Sequence, residues 1–276
     1  GMTEPGNGSD KMTSHPVPYR TSAVKTQGGW IVNGMKQFIS NGNRASYYLV
    51  GVQTDKAKTM ADGSTMFLVE RDRPGFTIGR VHDKMGERLA NNAELVFQDC
   101  FIPDENVAGL VDKGAKERAE FMAASNAYAG ASVLGVAVAL HHKAIGWARL
   151  RVQGGKLLVE HDGIRAQLAE MRMLIDASRS YIHRACWLAD HKEQGWDRTL
   201  SILPKAMASQ AAWKIATWCL EIHGGYGYMK ETGVEKLVRD AAAFLHSDGV
   251  NRTLFLSAAN AMFGLLPNPG KSPSAQ

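Results

Sequence analysis

Hydrophobic periodicity changes character once along the chain, between residues 109 and 114, and that change limits the folds open to it. Ahead of it the apolar runs are short, rich in β-branched and aromatic residues. They are WIVNG from Trp30, YYLVGV from Tyr47, TMFLVE from Thr65, FTIGRV from Phe76 and ELVFQDCFIP from Glu94. Gly28-Gly29, Asp62-Gly63 and Arg73-Pro74-Gly75 separate them, a spacing that predicts an all-β sandwich or barrel. Beyond Lys113, Ile164, Leu168, Met171, Ile175, Ile182 and Ala185 recur mostly every three, four or seven residues, as on one buried helix face. Helical stretches over 115–151, from 162, over 200–223 and over 232–263 predict an antiparallel four-helix bundle. The expected fold class is α+β: a small β-barrel or sandwich domain over 1–111, then a four-helix bundle over 112–265. The Pro- and Ser-rich tail, 266–276, is expected to be disordered.

The 276 residues are 45% hydrophobic and 21% charged, the balance of a soluble globular protein. The formal charge is +5, but Lys and Arg are interspersed with acids. A solvated, mildly basic surface and a site for an anionic ligand both fit that pattern. No zinc-finger, RNA-binding or basic-arm pattern occurs, which argues against nucleic acid. Three cysteines, odd in number and far apart, frame no disulfide set and fit a reducing cytoplasm. No apolar run reaches membrane-spanning length. His141-His142 lacks a carboxylate at ligand spacing, which favours a surface position over a metal, and Met171 and Met173 read as core filler.

Three stretches carry candidate chemistry. In TEPGNGSD, from Thr3, glycines let backbone N–H groups approach a ligand, and Thr3 and Ser9 add hydroxyls. The loop suits a phosphate or a polar ring edge, and equally a plain turn. In GWIVNGMKQFISNG, Asn33-Gly34 predicts a hairpin whose returning strand carries Phe38 and Ser40 on one face. Those two read as an aromatic wall with a donor, or as a core Phe beside a surface Ser. In EIHGGYGYMKETGVEKLVRDA, the GGYG turn follows a helix, so it is not a Rossmann fingerprint; a glycine helix cap is the alternative. Arg239-Asp240 reads as a short helical charge pair.

These stretches, with MGERLANNAELVFQDCFIPDENVAG and GGKLLVEH, are collinear from residue 1 to about 265, and together they resemble the acyl-CoA dehydrogenase family of flavoenzymes. The resemblance implies FAD lying between a central β-domain and a C-terminal bundle, a homodimer or homotetramer, an electron-transfer flavoprotein as a partner, and an acyl-CoA substrate. The family's N-terminal helical domain, which lines the acyl pocket, has no counterpart in this sequence. Carried over, Thr3 matches the hydroxyl at the flavin's pyrimidine edge, and Gly8 and Ser9 the diphosphate end of that loop. Phe38 stands where the family usually has Trp, and Ser40 where a Thr hydroxyl meets flavin N5. Arg151 matches the arginine that reaches the FAD diphosphate across the dimer, ahead of Gly154-Gly155 where Phe-Gly is common. Glu221, often Gln, and Gly225 fall near the adenosine end.

The implied reaction removes an α-proton from an acyl thioester while the β-hydride passes to flavin N5. The family's base is commonly a Glu in a Glu-Gly-Thr run, and counting without gaps from Arg239-Asp240 places Asp248-Gly249-Val250 there. SDGVN is also good turn chemistry, so Asp248 reads alternatively as a turn or helix-capping acid. Val250 replaces Thr and Arg252 a common Gln near the flavin. Ala123 and Asn126 replace an acid and an arginine that bind substrate. The shorter Asp arm and these losses leave two alternatives: flavin oxidation of a non-thioester carbon acid such as a nitroalkane, or a truncated non-catalytic subunit.

Overall fold

The computed structural model describes residues 1–8 and 18–265, with the side chains of 115–124 excepted. The chain divides into two compact units, residues 1–84 with 88–121, and residues 85–87 with 122 onward. The first unit is built on one six-stranded sheet: β1 (Ser22–Thr26), β2 (Gly29–Ser40), β3 (Tyr47–Gln53), β4 (Ser64–Glu70), β5 (Phe76–Val81) and β6 (Asn92–Pro103). The spatial order is β4-β3-β1-β2-β6-β5, antiparallel throughout except where β1 meets β3. Period-two alternation sends Trp30 and Val32, Val50 and Val52, Phe67 and Val69, and Leu95 and Phe97 into one core.

The hairpin lies elsewhere than Asn33-Gly34. The chain turns at Gln27-Gly28, with Gly28 at φ 73°, and Asn33-Gly34 sits inside the unbroken β2 at a bulge. Asn33 donates from Nδ2 to Asp99 Oδ1 at 3.1 Å and accepts from the Asp99 amide at 2.8 Å, which binds the bulge to β6. Gly34, at φ 136°, is required there because a Cβ would come within 2.5 Å of Thr21 Cα.

The opening residues are fastened to this sheet. The amides of Gly51 and Gln37 donate to the carbonyls of Gly1 and Thr3 at 3.1 and 2.8 Å. Glu4 is buried, accepts the Arg20 and Thr21 amides, and pairs with the fully buried Lys36 ammonium at 2.7 Å. Lys36 also lies 3.9 Å from the centroid of Tyr19. Burial alone would raise the Glu4 carboxyl, but Lys36 and its other donors carry it below the usual range. Burial in turn draws Lys36 down to about 8.

The second unit is helical. Its long elements are α1 (Gly114–Ala148), which begins in the first unit, α2 (Asp162–Asp190), α3 (Leu203–His223), α4 (Val234–Ala243) and α5 (Asn251–Met262). Leu140, Ala144 and Ala148 of α1, Met171, Ile175 and Ile182 of α2, Ala212, Ile215 and Cys219 of α3, and Val234 and Ala241 of α4 share one core. The expected helix over 232–263 is two helices. Asp248 at φ 52° and Gly249 at φ 99° are left-handed, which no helix interior accommodates, so turn chemistry prevails over periodicity. His141 is likewise no surface residue: it is buried, with Nε2 3.1 Å from the Leu168 carbonyl. Met171 is buried, whereas Met173 is exposed. The tail 266–276 and Ser9 lie outside the described residues.

Lys36→Met is expected to destabilise the chain by about 3–5 kcal/mol, because it leaves a buried carboxylate unpaired. Glu4→Gln combined with Lys36→Met should lose less than Lys36→Met alone. Urea unfolding of the parent chain and the two variants checks this.

Candidate active site

In the first unit the sequence candidates gather at one end of β2. Phe38 occupies a second bulge, between Lys36 and Ile39, at φ 60°; its ring is 56% exposed and packs on His82 at 4.7 Å. It is therefore a surface aromatic, not a core Phe. Asn92, opposite Ser40 on β6, donates from Nδ2 to the Phe38 carbonyl at 2.9 Å and to Ser40 Oγ at 3.2 Å. Because Ser40 Oγ accepts that bond, its own O–H remains available as a donor. Thr3 is placed beside this pair by the Gln37 amide, and its hydroxyl has no partner among the described residues. Gly8 is exposed, and a Cβ there would meet nothing within 4 Å.

In the second unit, Arg151, Glu221 and Gly225 line one cavity of about 710 Å³, together with Trp147, Gln153, His223 and Tyr226. Arg151 leaves the end of α1 just ahead of a tight two-stranded ribbon, Val152–Gln153 paired with Lys156–Leu157. Its guanidinium stands 5.4 Å from the Tyr226 ring. Trp147 contacts Tyr226 at 5.1 Å and stacks on His223 at 5.0 Å. α3 ends at Gly224, whose φ 57°, ψ −139° only glycine holds without strain, and this turn carries Gly225 and Tyr226 to the cavity wall. His223 Nδ1 is 2.8 Å from the Cys219 carbonyl and so acts as the donor. Burial draws His223 below its ordinary range, outweighing that bond, and pushes the Cys219 thiol up to about 12. The third stretch contains His223 and Tyr226 but gave neither a role, and no sequence signal marked Trp147; Trp147 comes from α1, His223 from the last residue of α3 and Tyr226 from the turn beyond it.

The third group is the turn between α4 and α5. Asp248 is exposed, Val250 half-buried in the capping position of α5, and Arg252 exposed on its first turn. Asp248 is not the helix cap, and α5 has no side-chain cap bond. Behind the turn lies a feature that the motifs did not reveal. Lys205, with no exposed surface, donates to the Gly249 carbonyl at 2.7 Å and to Asn251 Oδ1 at 3.0 Å, and Asn251 Nδ2 donates to Ser209 Oγ at 2.9 Å. The available signal was a Lys and a Ser four apart among alanines in α3. Arg239 and Asp240 do not pair with each other: Arg239 binds Glu235 and the Met85 carbonyl, and Asp240 binds Lys236 and the Glu87 amide. Asn126 is buried in α1. Among the described residues no cluster of His, Cys, Asp and Glu could hold a metal, and no helix is long and apolar enough to cross a membrane.

Two family models match the chain: the acyl-CoA dehydrogenase middle domain over residues 1–100 and the acyl-CoA dehydrogenase C-terminal domain over residues 112–263. The short-chain-specific acyl-CoA dehydrogenase of Megasphaera elsdenii is 36% identical over 264 residues, covering 95% of this chain and 67% of the relative. The chain belongs to the acyl-CoA dehydrogenase family. The solved butyryl-CoA dehydrogenase of Megasphaera elsdenii superposes with a TM-score of 0.87 at 34% identity, covering 95% of this chain and 67% of that one. A chain from the solved electron transferring flavoprotein of Acidaminococcus fermentans superposes with a TM-score of 0.87 at 30% identity over the same shares.

The cofactor of this acyl-CoA dehydrogenase family is FAD, and the chain is a flavoenzyme of that kind. Its residues suit the cofactor in two places. An exposed aromatic beside a hydroxyl with a free proton, Phe38 and Ser40, suits the edge of a flavin ring. The cavity offers a guanidinium, aromatic walls and two glycines, Gly224 and Gly225, at which a Cβ would meet nothing within 4 Å, which suits a nucleotide diphosphate.

Burial lowers the pKa of both His141 and His223, so the folded chain binds fewer protons than the unfolded chain as pH falls through their ordinary range. Their contribution to stability is complete above about pH 6.5 and is lost as pH drops through the folded values. Urea midpoints from about pH 7 to about pH 5 should fall, and fall less steeply in His223→Gln.

Proposed function

We propose that the chain dehydrogenates an acyl-CoA thioester across its α and β carbons, with Asp248 as the base. The observation that carries this is the placement of Asp248: an exposed carboxylate on a left-handed turn, at the position the family's motif assigns to its base. An α-proton beside a thioester is only weakly acidic, so the base must be aimed and the reacting geometry held. Asp248 takes that proton on its carboxylate as the β-hydride departs, and the substrate gains a carbon–carbon double bond. Bound FAD supplies the acceptor for the hydride and its two electrons.

The remaining candidates bind and orient. Phe38 walls the ring, Ser40 donates its hydroxyl proton to the ring edge, and Thr3 bonds the pyrimidine side, with Gly8 and Ser9 toward the diphosphate. Arg151 pairs with a diphosphate belonging to the FAD of a neighbouring copy, which makes the active form a homo-oligomer. Glu221, a carboxylate on the same cavity wall, accepts from ribose hydroxyls or the adenine amino group, beside Gly225. Val250 and Arg252 border the flavin at the start of α5. An electron-transferring flavoprotein is the electron acceptor in this reading, and the short-chain relative supports a role in fatty acid metabolism. A cytoplasmic location fits the unpaired cysteines.

A second reading rests on Asp in place of Glu, whose shorter arm suits oxidation of a smaller carbon acid. Anaerobic addition of butyryl-CoA and of nitroethane to the FAD-loaded chain separates the two by which one bleaches the flavin band. A chain that takes up no FAD overturns both. In Asp248→Asn the flavin should remain bound while its reduction slows by about 10²–10⁴-fold, the usual worth of a general base. Unchanged bleaching would mean that another residue takes the proton.

A further inference from the structure

Asp248 and Gly249 are consecutive left-handed residues, and Asp248 is not a glycine. Asp tolerates that state better than most residues, and a tie from outside the turn holds a successive left-handed pair in one arrangement. The turn's own backbone bonds run on either side of Asp248 and Gly249: His246 and Ser247 N–H donate to the Ala243 carbonyl at 3.1 and 2.9 Å. Asn251 N–H donates to the Leu245 carbonyl at 3.2 Å and Leu254 N–H to the Val250 carbonyl at 3.0 Å, and α5 lacks a side-chain cap. The tie comes from α3, where Lys205 and Ser209 lie one helical turn apart on the same face.

We propose that Lys205 is the positioning residue of the Asp248 turn, acting through its bonds to the Gly249 carbonyl and the Asn251 amide. Among the described residues, the hydrogen-bond acceptors of its ammonium are these two, one immediately after Asp248 and one at the first residue of α5. Ser209 completes the hold by bonding the same Asn251 side chain. A lysine with no exposed surface is costly, and burial draws it down to about 8 against the pull of Asp248. An apolar residue would fill a helix–helix contact without that penalty. Lysine does what an apolar residue cannot: it reaches a carbonyl on a neighbouring loop and keeps the carboxylate's backbone in one state. This inference rests on Asp248 being the base only for its catalytic consequence; the tether itself is a statement about the turn.

Amide hydrogen exchange by NMR on the whole chain tests the tether without reference to activity. In Lys205→Met the Asn251 and Leu254 amides should exchange about tenfold faster, the worth of one lost charged hydrogen bond, while Met171 and Ile215 in the bundle core keep their rates. Asn251→Ala, which removes the acceptor shared by Lys205 and Ser209, should accelerate Leu254 in the same way and covers the case of Lys205→Met failing to fold. Unchanged Leu254 exchange overturns the proposal, as does a uniform acceleration that includes Met171 and Ile215. In FAD-loaded Lys205→Met, reduction by butyryl-CoA should slow about tenfold at unchanged half-saturation, as for a misaimed base. Failure of the base assignment appears separately, as normal reduction in Asp248→Asn alongside a loosened turn in Lys205→Met. If the parent chain is not reduced by butyryl-CoA, exchange alone decides the tether.

Discussion

A lysine ammonium taken out of water must find acceptors or lose its proton, and that requirement shapes both units of this chain. Lys36 meets it with a carboxylate, and the carboxylate belongs to Glu4, so the opening loop is bound to the strand that bears Phe38 and Ser40. Lys205 meets it with a backbone carbonyl and an amide oxygen, both in the turn that bears Asp248. Each buried cation thus converts a helix or strand position into control over a loop. The two loops carry the candidate residues Thr3, Gly8 and Asp248, and in each the buried lysine adds a bond from outside the loop to those within it.

Much of the fold was legible in local pattern. The five apolar runs of the first unit coincide with parts of β2 to β6, because period-two alternation and β-branched residues are the signature of a pleated, half-buried surface. The buried face of α2 follows Leu168, Met171, Ile175, Ile182 and Ala185 for the matching reason at helical period. The failures share a cause. Asn33-Gly34 has hairpin chemistry, but Asp99 on β6 bonds the Asn side chain and Thr21 needs the space a side chain would fill, so the same dipeptide makes a bulge. The helix expected over 232–263 breaks where a left-handed pair, supported from α3, interrupts it.

The candidate site divides in the same way. Motif order identified Arg151, Glu221 and Gly225, and they do share one cavity, yet its aromatic wall was not legible: His223 and Tyr226 sat in the EIHGGYG motif without a role, and Trp147 reaches them only by helix packing. Phe38 was open to two readings until the bulge set its backbone at φ 60° and left its ring on the surface. His141, expected at the surface because no carboxylate lies at ligand spacing, is buried, with the Leu168 carbonyl within reach of its ring.

By itself the sequence determined the succession of a strand-rich and a helical unit, the identity of the family and the residue types available for flavin chemistry. These depend on periodicity and on the order of short motifs, which act over a few residues at a time. Tertiary structure alone decided which turn bends, which polar groups go inside and which loop each buried lysine holds. Such outcomes are set by long-range acceptors such as Glu4 for Lys36 and Gly249 for Lys205, separated by 32 and 44 residues, and no local pattern carries that information.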